Sequence, residues 1–145
     1  MLWGFRQGMA IPRWPVEQIA EEKILLKAYA RKLKRKIELT LDALRQMIAD
    51  GLSIGFYAGG FEYGFHLATR EIRYFDGDAY KHGKCWLTGL SAIESPAALV
   101  SRPVDRLIIC KPHYFDAIKN ALVQINVNEE CMVDIDSLSV AGARS

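Results

Sequence analysis

At 145 residues, half of them hydrophobic, the chain is long enough to bury about two-thirds of its unfolded surface in one autonomous core. The net charge of +2 is uneven: residues 1–50 hold ten Lys/Arg against six Asp/Glu, residues 51–145 nine against eleven. No stretch approaches the ~18 consecutive apolar residues of a membrane span, and Cys85, Cys110 and Cys131 are widely spaced, with no C-x-x-C pair and no secretion signal, so a soluble cytoplasmic protein with reduced thiols is expected.

Residues 1–16, with Trp3, Phe5, Pro12, Trp14 and Pro15, have no period and read as an irregular arm. From Glu17 to about Ala49 there is no Gly or Pro, and Leu26, Ala30, Leu33, Ile37, Leu41, Leu44 and Ile48 recur at steps of three and four, the pattern of one long amphipathic helix. Asp50-Gly51 stops it, with Gly51 as a left-handed cap. Ile54–Tyr57 reads as a first strand, Glu62–Thr69 as a short helix and Ile72–Phe75 as a second strand, a unit that closes as a right-handed parallel crossover. Residues 79–94 read as a loop with a short edge strand near Leu90–Ile93. Ser95-Pro96 starts a helix through about Ser101. Leu107–Cys110 is apolar throughout, as for a central parallel strand covered on both faces; Tyr114–Val123 is helical, and Met132–Ile135 is a last strand. The alternation predicts an α/β fold: a small open, mostly parallel sheet of about 4–5 strands with helices on both faces, preceded by the long helix. The expected organisation is an arm and helix over 1–50, the α/β domain over 51–138 and a polar tail over 139–145.

The first strand breaks into Ala58-Gly59-Gly60-Phe61-Glu62-Tyr63-Gly64. A strand feeding a glycine turn and a helix offers unpaired backbone N–H groups to an anion, although G-x-G-x-x-G is met only as Ala58-x-Gly60-x-x-x-Gly64. Ligands of open α/β sheets collect at the carboxyl ends of the strands. There the first strand contributes Gly59, Gly60 and Phe61, the second Asp76 and Asp78, the third Lys111 and His113. Asp76 stands near the ~20-residue offset at which dinucleotide sites place a ribose-binding acid; Asp76-Gly77-Asp78 also reads as an ordinary polar turn. His113 can change charge near neutrality but lacks a nucleophile or carboxylate at fixed spacing. His82 and Cys85 fall two short of the four ligands of structural zinc, so no metal is expected. The run Arg31–Lys36 reads as a solvated helix face and not as a nucleic-acid surface.

Three stretches, Phe75-Asp76-Gly77-Asp78-Ala79-Tyr80-Lys81-His82-Gly83-Lys84, Ile93-Glu94-Ser95-Pro96-Ala97-Ala98-Leu99 and Asp105-Arg106-Leu107-Ile108-Ile109-Cys110, taken with the glycine turn, resemble a known pattern. It is that of the small Rossmann-like domain attached to bacterial sugar-modifying enzymes, such as the C-terminal part of sugar C-methyltransferases and the N-terminal part of sugar O-acyltransferases. The resemblance covers roughly residues 52–125. It implies that Gly59, Gly60 and Asp76 face a nucleotide or nucleotide-sugar, and that the long helix corresponds to the connector that joins this domain to a catalytic one in larger relatives. Ala58, where the pattern has glycine, and the extra residue before Gly64 depart from it.

A dinucleotide needs two mononucleotide-binding halves, and the residues after Gly51 supply little more than one. A nucleotide- or nucleotide-sugar-binding module, accessory or regulatory to sugar or polysaccharide modification and not an autonomous enzyme, is the leading expectation. An NAD(P)-dependent oxidoreductase-like protein and a scaffold that binds nothing are the alternatives. The long helix spans about 50 Å at ~1.5 Å per residue, more than the domain can cover, so a homodimer or a partner enzyme docked through it is expected.

Overall fold

The computed structural model describes residues 15–67, 71–86 and 89–144, the last four through their backbone. The expected arm with Trp3, Phe5 and Trp14 lies outside the described residues. Contacts divide the chain into two compact units, residues 1–35 and 36–145.

Helix α1 runs over Val16–Ala49. Within the first unit every described residue is exposed. Within the second, Leu41 and Leu44 are buried in the core, as the three- and four-residue spacing requires. Gly51 ends the helix at φ +79. Its N–H bonds Ile48 O and that of Leu52 bonds Met47 O, both at 3.0 Å, the two bonds of a Schellman cap.

The second unit is built on a five-stranded, all-parallel sheet. Its strands are β1 (Ile54–Tyr57), β2 (Arg73–Phe75), β3 (Ile93–Glu94), β4 (Arg106–Ile109) and β5 (Met132–Asp134), in the order β3-β2-β1-β4-β5. The connections carry α2 (Phe61–Leu67), α3 (Ala98–Ser101) and α4 (Phe115–Gln124), and α5 (Ile135–Arg144) follows β5. Because strand side chains alternate between faces, Phe56 and Ile108 enter one core with Leu41, Leu44, Tyr63, Tyr74, Ile135 and Leu138. Tyr57, Phe75, Leu107 and Ile109 enter the other with Leu99 and Leu122. The expected open parallel sheet with helices on both faces is what the molecule has. The short edge strand β3 is held to β2 by Arg73, whose Nε and Nη2 donate to Glu94 Oε2 and Oε1 at 2.8 and 2.9 Å.

Of the expected polar tail over 139–145, residues 139–144 are instead the second half of α5. Ser139, like Ser137 before it, donates its hydroxyl to the carbonyl three residues back, at 3.0 and 2.6 Å respectively, and so fits within a helix. Asp134 accepts the N–H of Asp136 at 2.9 Å, satisfying a donor of the first turn, and Leu138 is buried in the core.

Candidate functional site

Tyr57 pairs in register with Phe75 on one side and Ile109 on the other. The residues that follow, Ala58, Asp76 and Cys110, therefore leave the sheet at one level. The chain turns sharply after β1: Ala58, Gly59 and Gly60 have φ of +59, +142 and +85. Ala58 occupies the left-handed region where the nucleotide-binding pattern has glycine, at a cost of about 1–2 kcal/mol, and its N–H bonds Phe75 O at 2.9 Å. Gly60 accepts the N–H groups of Tyr63 and Gly64 to open α2.

A cleft of about 360 Å³ lies at these carboxyl ends. Ala58, Gly59 and Phe61 line it from the β1–α2 turn, Asp76 from the end of β2 and Lys111 from the end of β4. Ile93 and the segment ahead of β3, with Tyr80, Lys81, Lys84, Cys85 and Trp86, complete it.

That segment has definite reasons to fold over the sheet. Asp76 Oδ1 accepts the Asp78 N–H at 2.9 Å. Asp78 in turn accepts the Tyr80 N–H at 3.0 Å, capping a 3₁₀ turn over Ala79–Lys81. His82 Nε2 donates to the Asp76 carbonyl at 2.6 Å. Gly83 N–H bonds Ile93 O at 2.8 Å, and Ile93 N–H bonds Lys84 O at 2.9 Å.

Trp86 stacks on Phe61 with ring centres 5.3 Å apart and planes 16° apart, and Phe61 stacks on Tyr74 at 5.1 Å. The indole is 66% exposed, so the ring is supported from behind while much of it stays open to a ligand. Lys81 Nζ pairs with Asp76 Oδ2 at 3.0 Å, and Lys84 Nζ sits 3.4 Å over the Tyr80 ring. Three lysines and one carboxylate thus line the cleft, and no ion pair of Lys111 forms among the described residues.

Of the sequence-selected residues, Gly59, Phe61, Asp76 and Lys111 come together in the cleft. Gly60, Asp78 and His113 are not in its lining. A Cβ on Gly60 would meet the Phe56 ring at 2.5 Å, so this glycine faces the core. Asp78 is the cap described above, and His113 lies exposed in a 3₁₀ turn over Pro112–Tyr114. The sequence reading does not place Tyr80, Cys85 or Trp86 at the site, because residues 79–94 read as a loop with a short edge strand and Cys85 is weighed only as a metal ligand. Lys81 and Lys84 stand in the Phe75–Lys84 stretch that carries the resemblance. Gly64 is placed for packing: a Cβ there would lie 1.6 Å from Tyr74 Oη.

Burial pushes the Cys110 thiol up, with the charge of Glu62 adding to it, so the thiol stays protonated and inert. Burial likewise raises the Tyr57 phenol, aided by Asp76. A larger cavity of about 580 Å³ lies at the opposite, amino edge of the sheet, lined by Arg73, Glu94 and Arg102. Its charges satisfy one another: Arg73, then Arg102, hold the Glu94 carboxyl below its ordinary range. It is also at the wrong end, since parallel sheets of this order collect ligands at the carboxyl edge. Among the described residues no three or more His, Cys, Asp or Glu gather to hold a metal, and His82 is committed to the Asp76 carbonyl. No helix among them is long and apolar enough to cross a membrane. Comparison with known proteins finds no matching family model, no matching curated protein and no matching solved structure.

Proposed function

We propose that the α/β unit is a nucleotide- or nucleotide-sugar-binding module. The observation that carries this reading is the combination in one cleft of a supported, exposed indole at Trp86 with Lys81, Lys84, Lys111 and Asp76. An indole face takes a base by stacking, worth about 1–3 kcal/mol. Ammonium groups take a phosphate, and a carboxylate takes a ribose hydroxyl. Asp76 is held by the Asp78 N–H and by Lys81, so ribose recognition would share this acid with the loop it organises. The resemblance to domains of sugar-modifying enzymes supports an accessory role beside a separate catalytic partner in sugar or polysaccharide modification.

The test is titration of the full chain with ADP, UDP, NAD⁺ and UDP-sugars, read by Trp fluorescence and thermal shift, since a ligand specific for the fold raises its apparent stability by mass action. Binding of at least one nucleotide is expected. Trp86→Ala should weaken it by about 5- to 150-fold, from the loss of one stacked base. Lys111→Ala should weaken it and flatten its salt dependence. No response to any member of the panel, with the fold intact, would overturn the reading.

A further inference from the structure

We propose that residues 16–35 of α1 pair antiparallel with the same residues of a second copy of this chain. All of them are exposed, and among them are seven large apolar side chains. Val16 is 83% exposed, Leu25 69% and Leu26 67%. Ile19, Leu26 and Leu33 recur every seven residues, which sets them in one line along the helix as in a coiled-coil seam. A bare helix of this length is marginal in water, so the seam needs a cover.

The charges say which cover. The amino-terminal half of the segment carries Glu17, Glu21 and Glu22 against one base, Lys23, and the carboxyl-terminal half carries Lys27, Arg31, Lys32, Lys34 and Arg35 with no acid. A parallel pair would set acid beside acid and base beside base. An antiparallel pair centred on Leu26 brings Ile19 level with Leu33 of the other copy and Leu26 level with Leu26. It also brings Glu17 level with Arg35 and Glu21 level with Arg31. The helix dipoles then oppose, and the contact is self-complementary about a two-fold axis, the commonest closed assembly. At ~1.5 Å per residue the seam is about 30 Å long.

The experiment uses the full chain with Cys85→Ser, the exposed thiol removed, carrying Ile19→Cys, Leu26→Cys or Leu33→Cys and oxidised under dilute conditions. Leu26→Cys is expected to cross-link to itself. Ile19→Cys and Leu33→Cys are expected to cross-link when mixed and not when alone, and the Cys85→Ser parent not at all. Sedimentation equilibrium should show a dimer in the micromolar range. It should be weakened at least tenfold by Leu26→Glu, and at least tenfold at low salt by Glu17→Lys, Glu21→Lys and Glu22→Lys together. Self-cross-linking of Ile19→Cys and Leu33→Cys in preference to Leu26→Cys would overturn the antiparallel pair. A monomer throughout the micromolar range, the outcome if residues 1–14 or a different protein cover the seam, would overturn self-association.

Discussion

The contact between Gly64 and Tyr74 can be perturbed from both sides. Replacing glycine by alanine inside a helix normally gains about 1 kcal/mol. At position 64 the new Cβ would lie 1.6 Å from Tyr74 Oη and 2.9 Å from Cζ. Both are core contacts with no room to yield, and overpacking of this kind costs about 1–3 kcal/mol. Gly64→Ala should therefore destabilise by up to about 2 kcal/mol net of propensity.

Tyr74 is 1% exposed and its hydroxyl has no hydrogen-bond partner among the described residues; burial pushes its pKa up to about 12. Leaving a buried hydroxyl unpaired costs roughly 1–3 kcal/mol, so Tyr74→Phe should be neutral or stabilise by about 1 kcal/mol. In the double variant the nearest atom is the ring carbon at 2.9 Å and no longer the oxygen at 1.6 Å. The oxygen clash is then gone while the 2.9 Å contact with the ring carbon remains, so part of the alanine penalty should disappear, a coupling of about 1 kcal/mol. The assay is urea unfolding of the four proteins, followed by near-UV circular dichroism and fluorescence, whose transitions must coincide. Additive effects, or a Tyr74→Phe variant more than about 1 kcal/mol less stable than the parent, would refute the argument.

Gly60→Val should unfold the α/β unit instead of merely obstructing a ligand, because its Cβ would strike the Phe56 ring at 2.5 Å and the backbone there has φ +85; a natively folded variant with unchanged midpoint in urea would contradict this. Glu94→Gln should cost about 1–3 kcal/mol at pH 7 by breaking the bonds to Arg73 and Arg102. The Glu94 carboxyl is held below its ordinary value of 4.5 in the folded protein, so its contribution is present above that pH and is lost as pH falls through the folded value. Stability measured against pH should show parent and variant converging on the acid side, and a gap that persists unchanged under acid conditions would be contrary. A thiol reagent should modify exposed Cys85 in the native protein while leaving Cys110 untouched until unfolding. Nucleotide at saturating concentration should slow the reaction at Cys85, and rapid native labelling of Cys110 would show that its burial is misjudged.

The sheet could be read from the chain because its central strands are short apolar runs bounded by Gly, Asp and Ser-Pro, and outside residues 76–92 the sequence alternates strand with helix. Such patterns report burial on two faces, which is a local property. Gly59, Phe61, Asp76 and Lys111 were equally accessible to this reasoning, since each lies within a few residues of a strand's carboxyl end and the parallel register brings strand ends to one level. The aromatic and lysine wall was not. Tyr80, Lys84 and Trp86 owe their positions to bonds between distant residues, His82 to Asp76 and Gly83 to Ile93, and no periodicity marks such contacts.

Gly60 and Gly64 show the other limit. Both fit a phosphate-binding fingerprint as letters, yet the space around them is taken by Phe56 and Tyr74. Glycine in a sequence declares that a Cβ is unwelcome without saying which neighbour excludes it. Of the turn's residues it is Ala58 and Gly59 that face the cleft, and Ala58 does so at a backbone angle that an alanine adopts only under constraint. The strain is tolerated because the Ala58 N–H bonds Phe75 and the next strand end bonds Tyr57. The ladder that holds β1 between β2 and β4 therefore also fixes the shape of the site. A ligand that meets this turn meets a surface set in advance by the sheet.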